Sequence, residues 1–188
     1  MAATAGMTVA QVLRGELDAA HQLLEATMAD VDDALAARPA PGQANRIGST
    51  YAHAVLAEDG VVNGLLRGQA PLFAGEWAER TGTDRPVVIS GAAWPGVAAG
   101  DMGEWHRTVR VELGACRAYA QAVYADTVAF LEVANDATLA RPIDLSFIGM
   151  GTMPVALVVP IFVTGHIHNM CGEISALKGA FGHKGYPF

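Results

Sequence analysis

From Phe147 to Gly165 the chain carries no charged residue, a run nearly as long as a membrane span, and it leads straight into His166, His168 and Glu173. Such a run must be surrounded either by lipid or by other helices. Gly149, Gly151, Pro154, Pro160 and Gly165 interrupt it, and flanking basic residues and an aromatic belt are missing. The expectation is therefore a buried helix of a bundle, with no membrane partner.

This helix is expected to start near Met153 and to end around Lys178-Gly179, where a lysine suits the negative end of the helix dipole and a glycine the left-handed cap. At 3.6 residues per turn, Val155, Val159, Phe162, Val163, His166, Met170, Ile174 and Leu177 share one stripe. His166 is thus expected to be buried. A buried imidazole needs a hydrogen-bond partner or a metal, and a second ligand four residues along is how helical metal sites are made. That second group is Met170, a thioether, which suits soft metals better than zinc or nickel. The other reading of His166 is a core histidine bonded to a neighbour or to water.

Three further helices are expected upstream. The first runs from about Thr8 to Ala37, with Val12, Leu13, Leu17, Leu24, Met28, Val31 and Leu35 at helical spacing, and Arg38-Pro39-Ala40-Pro41-Gly42 ends it. His21 lies among polar neighbours and is read as a surface residue. The second runs from about Ile47 to Arg67 with His53, Leu56, Asn63 and Leu66 on one side, so His53 borders the apolar face. The third runs from about Glu104 to Ala134, with Trp105, Val109, Leu113, Cys116, Tyr119 and Val123 among its apolar positions. Cys116 reads there as a small core residue rather than a nucleophile.

Between the second and third helices, Gly68 to Gly103 is rich in Gly, Pro and Trp, Trp94-Pro95-Gly96 among them. A connection of this length in a compact domain is a crossover or lid. A short helix is expected around Phe73 to Arg80, and Val87-Val88-Ile89 is too short a run to make a sheet. Four helices with one long connection make residues 1–188 a single all-α, four-helix-bundle domain. Two histidines facing inward from different helices, His53 and His166, can converge in the core of such a bundle, where cofactor and metal sites are built.

A net charge of −7 with scattered basic residues excludes a nucleic-acid surface. The two cysteines, Cys116 and Cys171, make no disulfide framework. Met1 to Met7 lacks a basic region followed by an apolar run, so a cytoplasmic location is expected. The small residues Thr164, Gly165, His168, Cys171, Gly172 and Ser175 would let another helix approach closely, from a second copy or from the same chain. The tail, Gly179 to Phe188, is expected to pack back on the bundle.

Thr50-Tyr51-Ala52-His53-Ala54-Val55 with Glu58-Asp59, then Pro71-Leu72-Phe73, His166, Gly172-Glu173-Ile174-Ser175-Ala176-Leu177-Lys178-Gly179 and Gly185-Tyr186-Pro187-Phe188 resemble the DinB-like superfamily. The resemblance implies a four-helix bundle with its long crossover between helices 2 and 3, and a homodimer. It also implies a divalent metal, nickel or zinc, held by three histidines, one on the second helix and two on the fourth. Position by position these fall on His53, His166 and Met170, so methionine stands where the pattern has its third histidine. The activity implied is that of a metal-dependent transferase or isomerase using a low-molecular-weight thiol, with a small-molecule substrate. Glu173 could orient a histidine or act as a base, or be an ordinary helix-end carboxylate. Thr50 and Asp59 carry no assignment, and Tyr51 and Trp105 either line a pocket or belong to the core. The alternative function is a non-catalytic dimeric bundle that has lost the metal and binds a small molecule or acts in stress response.

Overall fold

Thr8 opens the first helix, α1 (Val9–Met28), by a reciprocal cap: its hydroxyl accepts from the Gln11 amide while the Gln11 side chain accepts from the Thr8 amide. The computed structural model describes residues 6–89 and 97–188. The Trp94-Pro95-Gly96 part of the crossover lies outside the described residues. The first helix does not run unbroken to Ala37. It ends at Met28, and Asp32 caps a separate short helix, α2 (Asp33–Ala37), through the Leu35 amide. An aspartate hydrogen-bonding the backbone ahead of it competes with helix continuation, which is why the chain turns here.

The second long helix has the expected extent but two kinds of turn. It is α-helical as α3 (Ile47–Asp59), continues as π-helix over Gly60–Arg67, and stops at Gly68. The crossover then carries a single 3₁₀ turn, Leu72–Ala74, where a longer helix was expected. The Val87-Val88-Ile89 run does find a partner: β1 (Val88–Ile89) pairs in parallel with β2 (Ala98–Ala99). Gly82 docks the crossover on the next helix so closely that a Cβ there would sit 2.5 Å from the Cys116 amide nitrogen.

The third helix is also divided. Asp101 caps α4 (Met102–Thr108), Val109 is extended, and Glu112 starts α5 (Leu113–Val133) by accepting from the Gly114 and Ala115 amides. In the gap Arg110 donates its amide to Asp84 and Val111 bridges Thr83, so pairing with the crossover replaces helical hydrogen bonds. Next come α6 (Asp136–Ala140) and the antiparallel pair β3 (Pro142–Asp144) with β4 (Thr152–Pro154). The last helix is one rod in three parts: α7 (Val155–Val159), a π turn over Pro160–Thr164, and α8 (Gly165–Ala180).

The protein is mostly helical, and its long helices pack α1 on α8 and α5, and α3 on α8 and α5. Leu17, Leu24 and Met28 of α1, Tyr51 and Val55 of α3, Tyr119 of α5 and Ile167 and Ile174 of α8 meet in the core. Lys178, itself buried, donates to the Thr27 carbonyl at 2.8 Å and to Asp30 at 2.5 Å, so α1 and α8 end side by side. Val155–Ala180 is long and apolar enough to cross a membrane by length and composition, yet Val158, Val159, Val163, Ile167, Cys171 and Ile174 are buried within the fold. The tail lies on this rod, with Gly185 against the Ser175 carbonyl and the Tyr186 hydroxyl near Gly172.

Pro160 explains the π turn. It has no amide hydrogen to donate one turn back, and the Gly165 amide bonds to the Pro160 carbonyl five residues behind. The additional residue rotates everything after it. The buried stripe therefore passes through Ile167, Cys171, Ile174 and Ser175, and His166 and Met170 are half-buried at its flank, not on its centre as the periodicity predicted. A Cβ at Gly165 would stand 2.8 Å from the Pro160 carbonyl oxygen. Gly165→Ala is expected to lower the unfolding free energy by about 1–3 kcal/mol in urea titrations. Gly179→Ala, which meets open space, is expected to change it by less than about 0.5 kcal/mol.

Candidate functional site

Three imidazoles gather where α3, α4 and α8 meet. His53 faces His166 with ring centres 4.9 Å apart at 86°, and His106 with ring centres 5.1 Å apart at 76°. The Trp105 indole stands edge-on to both His106, at 5.1 Å, and His53, at 6.5 Å. His106 and Trp105 are buried, and His53 and His166 are half-buried. Against this corner lies an apolar pocket of about 70 Å³ whose walls include His53, Leu56, Gly60, Val87, Val97 and Met102. A larger hollow of about 270 Å³ lies in the crossover; Leu56 and Val87 line both, but no histidine reaches it.

The structure thus brings together two of the three expected residues, His53 and His166, and adds His106. Met170 packs against the hydrophobic core. The expected third helix, continuous from Glu104, hid His106; the extended segment from Val109 to Glu112 separates α4 from α5. The Asp101-Met102-Gly103-Glu104 cap pattern signals the start of α4, and nothing local in the sequence signals its end.

The remaining candidates have other work. Thr50 donates to Glu173 at 3.4 Å, so that carboxylate links α8 to α3. Asp59 is enclosed by donors from Asn63, Tyr119 and the Leu72 and Phe73 amides. His168 stays exposed despite the π turn before it, and Tyr51 belongs to the core. His21 is not a surface residue. It is buried, its Nε2–H donates to both Glu58 oxygens at 3.1 and 2.9 Å, and it stacks on Tyr124 at 3.7 Å. Its spacing from Leu17 and Leu24, four and three residues, was the overlooked signal.

Burial first, and then the neighbouring imidazoles of His166 and His106, hold the His53 pKa down at about 3. Burial and His166 bring His106 down to about 4, and burial also lowers His166. All three rings are therefore neutral near pH 7, the form with a lone pair to give. Three of their nitrogens, His53 Nδ1, His106 Nδ1 and His166 Nε2, are buried without a hydrogen-bond partner. Leaving such an atom unsatisfied costs about 1–3 kcal/mol, and three in one place mark a site fitted to something that would satisfy them. The donor chemistry fits a divalent metal of the zinc or nickel kind. Among the described residues no three His, Cys, Asp or Glu side chains are already grouped so as to hold a metal ion; His53 stands edge to face with each of the other two rings.

The protein is a mostly α-helical scaffold with a cluster of neutral, unsatisfied imidazoles where α3, α4 and α8 meet. The DinB superfamily pattern matches residues 16–170, and the chain belongs to that superfamily. The crystal structure of a conserved protein from Enterococcus faecalis superposes with a TM-score of 0.68 at 23% identity, over 93% of this chain and 99% of that one, and so shares the fold. No curated protein matches the sequence.

The lowered histidine values set a pH dependence for the metal-free protein. In the unfolded chain the His106 position takes up a proton near its ordinary 6.5, whereas the folded site resists until about 4. Between these values the unfolded state binds more protons, so stability is intact above pH 6.5 and is lost as pH falls. The slope approaches about 1.4 kcal/mol per pH unit for each such imidazole. Melting temperatures of chelator-treated protein are expected to fall from pH 6.5 to 4, and His106→Gln is expected to flatten that fall.

Proposed function

We propose that this chain is a divalent-metal-dependent enzyme of the DinB superfamily, a transferase or isomerase that uses a low-molecular-weight thiol. Its long helices serve as the superfamily's four-helix bundle, with the long crossover over the site. The observation that carries this reading is the apposition of His53 and His166 at 4.9 Å from two packed helices, each ring keeping an unsatisfied nitrogen. His53 and His166 would hold the metal, zinc or nickel. When bound, it supplies a Lewis acid that favours the deprotonated form of a thiol or water near pH 7.

The rest follows from the chain's own residues. Both cysteines are buried, and burial raises their thiols to about 12 for Cys116 and about 11 for Cys171. Neither offers a thiolate, so a reacting sulfur has to come from a separate thiol. Leu56, Val87 and Val97 beside His53 exclude water and accept an apolar part of the substrate. The Thr50–Glu173 hydrogen bond, one turn before His53, holds together the two helices that carry the facing imidazoles.

Met170, at the position of the third histidine, favours the second reading, a cytoplasmic homodimeric bundle without catalysis that binds a small molecule. Elemental analysis of untagged protein before and after loading with zinc or nickel separates the two readings. The enzyme reading expects about one metal per chain, consumption of a low-molecular-weight thiol with an electrophile, and loss of both in His53→Ala and His166→Ala. Absence of metal at every loading sinks it and leaves the binding bundle.

A further inference from the structure

We propose that His106 is the third imidazole of the metal centre, so that the crossover helix α4 supplies the ligand that the last helix lacks at Met170. This rests on the metal reading above, and it changes where the centre draws its ligands: one each from α3, α4 and α8, rather than one and two.

Three observations converge on it. His106 is 4% exposed, so its ring is withdrawn from water on an otherwise short, exposed-edged helix. Its ring centre lies 5.1 Å from His53, which is in turn 4.9 Å from His166, so His53 neighbours both of the other rings. Two imidazoles sharing one metal at about 2.0–2.1 Å from each nitrogen set their ring centres about 5 Å apart. His106 Nδ1 is buried without a partner, as are His53 Nδ1 and His166 Nε2, so no imidazole satisfies another through these atoms.

A purely structural role accounts poorly for this arrangement. The second buried histidine system shows what a structural imidazole looks like here: His21 has a bidentate carboxylate and a stacked tyrosine. His106 has Trp105 beside it, whose own indole nitrogen is also unsatisfied. Turning each ring about χ2, a broad and soft torsion, changes which nitrogen it presents to the space beside His53. Met170 packs on the core instead, and as a thioether it is the poorer partner for a zinc-like ion.

Cobalt(II) titration tests this, because the visible absorption of cobalt reports its coordination and competition with a chelator gives affinity. Wild-type protein is expected to bind about one cobalt per chain, His106→Gln to bind at least about a hundredfold more weakly, and Met170→Leu to stay within about threefold of wild type, since even outer-shell changes cost 10–100-fold. His106→Cys is the second variant: a thiolate at that position gives a sulfur-to-cobalt charge-transfer band only if residue 106 binds the ion. Circular dichroism of the metal-free variants separates ligand loss from misfolding. Unchanged affinity in His106→Gln, or no charge-transfer band in a folded His106→Cys that binds cobalt, overturns the proposal while the metal reading stands. No cobalt binding by wild-type protein overturns both.

Discussion

The Asp59 carboxylate fixes the relation between the long helices and the segment that follows Arg67. It is fully buried, and a charge in that position is tolerated only when its oxygens are hydrogen-bonded. Four donors meet it: the Asn63 side-chain amide in the π-helical continuation of α3, the Leu72 and Phe73 backbone amides, and the Tyr119 hydroxyl at 2.5 Å. Burial, with this carboxylate next to it, raises the Tyr119 pKa, so the hydroxyl keeps its proton and remains a donor. One side chain thereby ties α3 to α5 and pins the first turn of the crossover. Everything from Leu72 onward starts from a fixed place, including the path that returns as α4 beside His53.

A second constraint acts on the last helix. Pro160 removes one amide donor, the π turn absorbs the loss, and Gly165 is the residue that lets the Pro160 carbonyl come close. The result is a rotation of α8 relative to α7. Ile167 and Cys171 turn into the core, and His166 moves from the centre of the stripe to its flank, where it can meet a side chain from α3. A regular helix would have aimed the imidazole between apolar side chains; the π turn places it at an edge with a neighbour. Single π turns in long helices often serve positions of this kind.

Much of the helical frame was legible because it rests on local rules. The apolar spacing of Leu13, Leu17, Leu24 and Met28 and the extent of the second helix to Arg67 follow from periodicity and end signals, whereas the last helix runs past Lys178-Gly179 to Ala180 and the left-handed glycine is Gly182, not Gly179. The divisions within helices were not legible, since what causes them is distant in sequence. Val109 leaves the helix because Asp84 and Thr83 take over the backbone pairing of Arg110 and Val111, and neither partner is visible from α4 itself. His106 was lost with that division. His53 and His166 could be marked as inward-facing, but which imidazole would meet which depended on the π turn and on α4, both settled by tertiary packing.

The contrast between the two polar systems of the interior carries the functional argument furthest. On the α1 side, Glu25 accepts from Tyr51 and Tyr124 at 2.8 and 2.9 Å, and Glu58 accepts from His21, so these buried groups are paired. Such a network stabilises and specifies the packing of α1, α3 and α5, and it asks for no ligand. On the other side of α3, His53, His106, His166 and Trp105 are packed just as closely, yet a nitrogen on each is left over. Glu58 meets His21, whereas among the described residues no carboxylate meets His53 Nδ1. An interior that gives one imidazole a carboxylate and leaves three others each with a buried, unpaired nitrogen is organised around the place where they are incomplete, and that place adjoins the apolar pocket beside His53.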